Sequence, residues 1–219
     1  MHEKDHRLKV ISTVDAVVDA IQKEILNGAW EPGEKIREIE LINMYGISRH
    51  SIREALIVLT KRGFLERRMN RGVFMRQFSK EDIEDLYFTR LILEIEAARN
   101  LARKRIVPDE MEEAVGNFKK QKQSDPWSVI IKNDVKFHKA LVDSLDSYRT
   151  SKLFASLLIE FELINRKPKS FEPVVNVYIK HHKIVEAIKN GNEEKATFLL
   201  SEHLKEAAQF QVKEQLQTR

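Results

Sequence analysis

Apolar residues recur at helical spacing from the start of the chain: Val14, Val17, Val18, Ile21, Ile25 and Leu26 fall on one face. They predict a helix over Thr13 to Asn27, with Thr13 as N-cap and Gly28 as its stop. Glu31-Pro32-Gly33-Glu34-Lys35 reads as a turn. A second helix is expected from Ile36 to Tyr45, closed by Gly46. Only Gly46-Ile47-Ser48 separate it from a third, Arg49 to Arg62, which is helix-turn-helix spacing. Ser48 suits the N-cap of that third helix. Ile52, Ala55, Leu56 and Leu59 form its apolar face and leave Arg49, His50 and Arg53 on another. Beyond Gly63, "FLERR" and "GVFM" are strand-like runs flanking Met69-Asn70-Arg71-Gly72, so they predict a hairpin, or wing.

From Ser79 the pattern is helical alone. Ser79-Lys80-Glu81-Asp82 resembles a capping box with Asp in place of Glu or Gln. Further helix starts are marked by Pro108-Asp109-Glu110, Asp125-Pro126 and Asn192-Glu193-Glu194, each with Pro or acids in a first turn. Gly191 reads as the stop before the last helix. Ser79 to about Val212 is therefore expected to be a bundle of six or so helices. The fold class is mainly α: an N-terminal winged helix-turn-helix with a small β-hairpin wing over residues 1–77, then an all-α helical bundle over 78–219. The boundary falls between Arg76 and Ser79.

Composition narrows the class. The chain has 219 residues, enough for two cores, with 42% hydrophobic and 33% charged residues, as in soluble globular proteins. No apolar run approaches the roughly 20 residues that span a bilayer, and "MHEKDHRLK" has no apolar core of the signal-peptide kind, so no membrane partner and a cytoplasmic location are expected. With no cysteine, disulfides and thiolate ligands are excluded, and any metal must be held by His, carboxylate or water. Charge is uneven: Leu41 to Arg76 contains eight Lys/Arg against Glu54 and Glu66, a local +6, while the whole chain carries +4.

A three-residue turn, a capped third helix and a basic hairpin together point to double-stranded DNA as the partner, where charge alone would read as a solvated face. Ser48, Arg49, His50, Ser51 and Arg53 occupy the first turns of the helix that would enter the major groove. Arg71 and Gly72 at the wing tip suit the DNA backbone or minor groove. In the second half, Asp134 and His138 stand four apart, sharing a helix face. His181 or His182 lies on the next-to-last helix and His203 on the last. In a bundle these can converge on an interior site of nitrogen and oxygen ligands, although a lone helical histidine is more often a core or surface residue.

The stretch "GAWEPGEKIREIEL", followed by "GISRHSIREALIVLTKRGFLERRMNRGVF", resembles the winged-helix half of GntR-type bacterial transcription regulators. The resemblance implies that Arg49 and Arg53 read bases and phosphates. His50-Ser51 replace the Thr-Pro or Thr-Thr common in the family, so the operator sequence does not transfer. A helix-2 arginine of some relatives is matched by Ile39, with Arg37 nearby as a substitute. The second half, through "DLYFTRLILEIEAARNLA", "NDVKFHKAL" and "HHKIVEAIKNGNEEKATFLLSEHL", is similar to the FCD ligand-binding domain of the FadR-type branch. That likeness implies a divalent ion held by Asp134, His138, His181 and His203, with His181 chosen over His182 by its place in H-x-x-I-V-E-A-I.

Four ligands leave a coordination position open to a carboxylate effector, a small organic acid. Arg90, and more weakly Arg166, are candidate second anchors for it. Zn, Ni or Mn fits an imidazole-rich site better than Mg or Ca. The resulting expectation is a ligand-responsive repressor acting as a homodimer on a palindrome. A metal-dependent hydrolase is the competing class. Against it, the sequence has no HExxH, nucleophile elbow or Walker loop. A structural DNA-binding protein with a purely structural metal is the third. Trp127 and the many Phe, Leu and Ile of this half read as core.

Overall fold

The computed structural model describes residues 13–122, 124–166 and 174–217. The chain divides into two compact units, Met1–Arg76 and Gln77–Arg219.

In the first unit, helix α1 (Thr13–Leu26) buries Val17, Val18, Ile21 and Ile25, the face its periodicity predicts, against α3. Helix α2 (Glu38–Tyr45) ends where Gly46 turns left-handed at φ 65° and its N–H returns to Ile42 O at 2.9 Å. Ser48 then caps α3 (Arg49–Lys61), its Oγ accepting from the Ser51 N–H at 3.1 Å. Ile52, Ala55, Leu56 and Leu59 are buried. Strands β2 (Leu65–Arg68) and β3 (Gly72–Met75) form the hairpin.

The structure corrects one boundary. Lys35–Ile36 is a strand, β1, antiparallel to β3 with Ile36 opposite Val73, so the wing is a three-stranded sheet in the order β1-β3-β2. Arg37 keeps an extended backbone (φ −97°, ψ 115°), which delays α2 to Glu38 instead of Ile36. A two-residue strand is too short to alternate visibly, and its hydrogen-bonding partner lies nearly forty residues downstream.

The second unit contains, among the described residues, six helices: α4 (Lys80–Lys104), α5 (Asp109–Lys120), α6 (Trp127–Asp143), α7 (Tyr148–Ile164), α8 (Val174–Lys189) and α9 (Glu193–Gln217). Ser79 and Asp82 form the capping box that opens α4. This helix runs through the bundle, packing on α6, α7, α8 and α9. Its inward face is mostly apolar (Ile83, Leu86, Ala97, Ala98, Leu101), yet it also buries Arg90 and Glu94, at 1% and 0% exposure. Fully buried charges occur only where they are paired, so these two mark the interior that concerns function.

Candidate metal centre and candidate nucleic-acid interface

Helix α6 places Asp134 and His138 one turn apart; α8 contributes His181 and α9 contributes His203. Each offers one ligand atom, and all four atoms lie within 4.8 Å of one another. His138 Nε2 stands 3.2 Å from His203 Nε2 and 3.4 Å from His181 Nε2. Asp134 Oδ1 is 3.3 Å from His181 Nε2, and Oδ2 is 3.7 Å from His138 Nε2. Two atoms bound to one zinc at 2.0–2.1 Å and a tetrahedral angle stand about 3.4 Å apart, so these separations fit a single ion.

The outer nitrogens explain why the inner ones converge. His181 Nδ1 donates to Val177 O at 2.8 Å, and His138 Nδ1 donates to Glu94 Oε2 in a short contact. With both Nδ1 atoms turned to these acceptors, Nε2 of each ring is the nitrogen left facing the cluster. Imidazole nitrogens this close together can share a cation. Phe118 stacks on His181 at 4.9 Å between ring centres and Phe137 meets it edge-on at 4.4 Å, locking the ring.

Electrostatics agree. Burial pushes the His203 imidazole well below its ordinary value, helped by His181 and His138, so it is a neutral donor. Burial alone would raise the Asp134 carboxyl, but His138, His181 and His203 outweigh it and hold the group ionised, below the usual carboxylate range. Glu94 follows the same logic: burial raises it, Arg90 and His138 lower it, and the net shift is downward.

A cavity of about 240 Å³ opens beside Asp134 and His203, and Arg90 and Tyr87 of α4 line it. Arg90 Nε donates to Glu94 Oε1 at 2.8 Å, and its guanidinium lies 4.7 Å from the Phe161 ring centre. One carboxylate, Glu94, therefore joins the arginine to the ligand His138. Sequence reasoning missed Glu94; the available signal was its i+4 spacing from Arg90. Trp127, read from sequence as core, is half-buried and lines the cavity, its Nε1 donating to Asn165 O at 2.5 Å. At this end of the cavity the wall is formed by Asn165 rather than Arg166, which follows it just beyond α7. His182 is exposed and stacks on Tyr178 at 5.5 Å.

In the first unit, Ser48 at the cap of α3 and Arg49, His50 and Arg53 on the helix are exposed. Ser48 and Ser51 are engaged in the cap, their hydroxyls 3.0 Å apart, which limits their freedom to contact a base. Arg53 Nε bonds both oxygens of Glu38, at 2.8 and 3.1 Å, while His50 lies 3.5 Å from Glu54 and Arg37 pairs with Glu40 at 3.0 Å. At the wing, Arg71 is exposed, and Gly72 adopts φ 106°, where a Cβ would meet Lys35 Cε at 3.4 Å. Arg68 is held on the sheet by Glu66 and lies over Phe74, 4.3 Å from the ring centre. A groove of about 840 Å³ gathers Lys35, Arg37, Arg53, Arg67 and Arg71 from α3, the wing and the segment before α2. Lys35 and Arg67 had no motif to reveal them.

Comparison with known proteins agrees with both halves. Residues 13–75 match the gntR family of bacterial regulatory proteins and residues 85–206 match the FCD domain. The chain is 28% identical over 186 residues, 80% of each chain, to the HTH-type transcriptional regulator YdhC of Bacillus subtilis (strain 168). It is similar to the crystal structure of a GntR transcriptional regulator from Rhodococcus sp. RHA1, with 26% identity, a TM-score of 0.79, and 92% of this chain and 98% of that one covered. The Zn2+-bound FCD domain of the transcriptional regulator TM0439 shares the fold of the second unit at 21% identity and a TM-score of 0.54, covering 63% of this chain and 96% of that one. Among the described residues no helix is long and apolar enough to cross a membrane. With a winged helix-turn-helix, an all-helical second unit and relatives that are transcriptional regulators rather than enzymes, the chain belongs to the gntR family of bacterial DNA-binding transcription regulators, in the group that carries an FCD domain.

Proposed function

We propose that this regulator is a homodimeric, cytoplasmic repressor that reads a palindromic operator and is controlled by a small organic carboxylate bound at a divalent metal. Zn, Ni or Mn is the ion, held by Asp134, His138, His181 and His203. The observation that carries the reading is the convergence of three imidazole Nε2 atoms and one carboxylate within 4.8 Å, with the Nδ1 protons of His138 and His181 fixed outward by Glu94 and Val177. The Zn2+-bound state of the similar TM0439 domain supports it. A resident ion would supply a positive charge with an open coordination position, and Arg90 Nη2, buried without a hydrogen-bond partner, supplies a second anchor for a carboxylate.

On the DNA side, Arg49, Arg53 and Arg71, aided by Arg37, Ser48, His50, Ser51 and Gly72, form the operator contacts. Lys35 and Arg67 join them in the groove. Effector control requires that the ligand bind the operator-competent and released states unequally.

Metal content by inductively coupled plasma mass spectrometry, paired with operator binding by fluorescence anisotropy, tests the proposal. His181→Ala/His203→Ala should lose the ion, melt lower and become insensitive to the effector, while His182→Ala keeps all three properties. Full metal occupancy in the double variant refutes the site, and an effector response in metal-free protein refutes the mechanism.

A further inference from the structure

Resting on the metal reading above, we infer that the effector is a monocarboxylate with an apolar aryl or branched-alkyl body, not a polyhydroxylated sugar acid or a tricarboxylate. The argument comes from how this cavity distributes its polar atoms. At the ligand cluster the groups able to hold an anion are gathered together: Arg90 Nη2 and the Tyr87 hydroxyl, both buried on one face of α4. The Tyr87 hydroxyl lies near Asn165 but makes no hydrogen bond of normal geometry. Burial pushes it up to about 12, so it stays a proton donor. One carboxylate, with an oxygen toward the ion and the other toward these donors, satisfies them.

The remaining wall offers little to a second polar group. Ile130, Ile131, Phe161, Val177, Leu204 and Phe210 supply apolar surface. The polar side chains among them are engaged with one another. Asn165 Nδ2 donates to Phe161 O at 2.9 Å and its Oδ1 accepts from Gln211 Nε2 at 2.6 Å; the Trp127 indole N–H is taken by Asn165 O. Lys180 is paired with Glu206. A second carboxylate or a run of hydroxyls placed there would have to compete with these pairs for partners, whereas a hydrocarbon body loses nothing. The volume of about 240 Å³ equals about eight water volumes and, at interior packing density, holds roughly eight to twelve non-hydrogen atoms. That leaves five to nine or so for the body beyond the carboxylate, the size of a phenyl or branched pentyl group.

The test uses full-length, zinc-loaded protein and isothermal titration with phenylacetate, 4-methylpentanoate, gluconate and citrate, alongside metal content by mass spectrometry. Phenylacetate or 4-methylpentanoate should bind at least about tenfold tighter than gluconate and citrate, because a buried hydroxyl without a partner costs about that much or more. Ala207→Phe fills the cavity from α9, one turn beyond the ligand His203 and without replacing any ligand. It should abolish acid binding while zinc content stays at the wild-type level. Equal or tighter binding of gluconate or citrate, or no binding by any of the four acids with zinc intact, overturns the assignment of ligand class. Zinc absent from the loaded wild-type protein overturns the metal reading beneath it, so the two failures are distinguishable. Unchanged phenylacetate affinity in Ala207→Phe removes the acid from this cavity.

Discussion

Replacing Glu94 with Ala tests the bundle interior at the point where Arg90 and His138 share one carboxylate. Its Oε1 receives the Arg90 Nε–H at 2.8 Å and its Oε2 receives the His138 Nδ1–H, all at 1% exposure or less. Removing one partner of a buried ion pair leaves the other charge uncompensated and typically costs about 3–5 kcal/mol. The cavity beside Arg90 can admit water, so we take the lower end, about 3 kcal/mol, for metal-stripped protein. For a unit of this size that amount lowers the melting temperature by about 6–12 °C. His138 also loses the acceptor that orients its ring, and such losses weaken metal affinity by about 10–100-fold. Differential scanning fluorimetry of stripped protein and zinc competition against a chromogenic chelator measure the two effects. Glu94→Gln, which keeps an acceptor without the charge, should fall between wild type and Glu94→Ala in both. A melting temperature within about 2 °C of wild type, together with zinc affinity within about twofold, refutes the reasoning that one carboxylate supports both Arg90 and His138.

Arg49→Ala and Arg53→Ala should each weaken specific operator binding by about 1–3 kcal/mol, or flatten its salt dependence by about one unit, with melting temperature unchanged. Stability is spared because the Arg53–Glu38 pair is 58% and 36% exposed, and exposed pairs contribute little; gel-shift titrations at several salt concentrations decide it. Gly72→Val should destabilise the wing by about 1–3 kcal/mol and reduce DNA affinity, since valine is strained at φ 106° whatever space surrounds it; wild-type anisotropy and denaturation curves would contradict this. Metal-stripped protein should lose stability as pH falls below about 6.5. His203 has a depressed folded pKa, so its contribution is complete above the unfolded value and declines toward the folded one, with a slope of at most about 1.4 kcal/mol per pH unit. Asp134 and Glu94, also depressed, add losses in the same direction below about pH 4.4. His203→Gln should flatten the denaturation midpoint between pH 7 and 5, and an unaltered slope in that variant assigns the dependence to another group.

Local signals carried much of the architecture. The apolar faces of α1 and α3, the left-handed Gly46, the Ser48 cap and the Ser79–Asp82 box are decided within a few residues, by side-chain spacing and by backbone groups that need a nearby partner. The pairing of Asp134 with His138 on one face is equally local, since 3.6 residues per turn brings positions four apart together. Resemblance, not spacing, singled out His181 over its neighbour. The packing then places His181 inward at 0% exposure and His182 outward, because a single residue's step rotates a helical side chain by 100°. Only the tertiary structure decided the rest. β1 exists because Ile36 meets Val73 across the sheet, and Glu94 matters because α4 faces α6, bringing it to His138 across 44 residues. Trp127, Asn165 and Gln211 became cavity wall through contacts between α6, α7 and α9. Such contacts join residues far apart in the chain, where local periodicity says which face turns inward but not which residues it meets there.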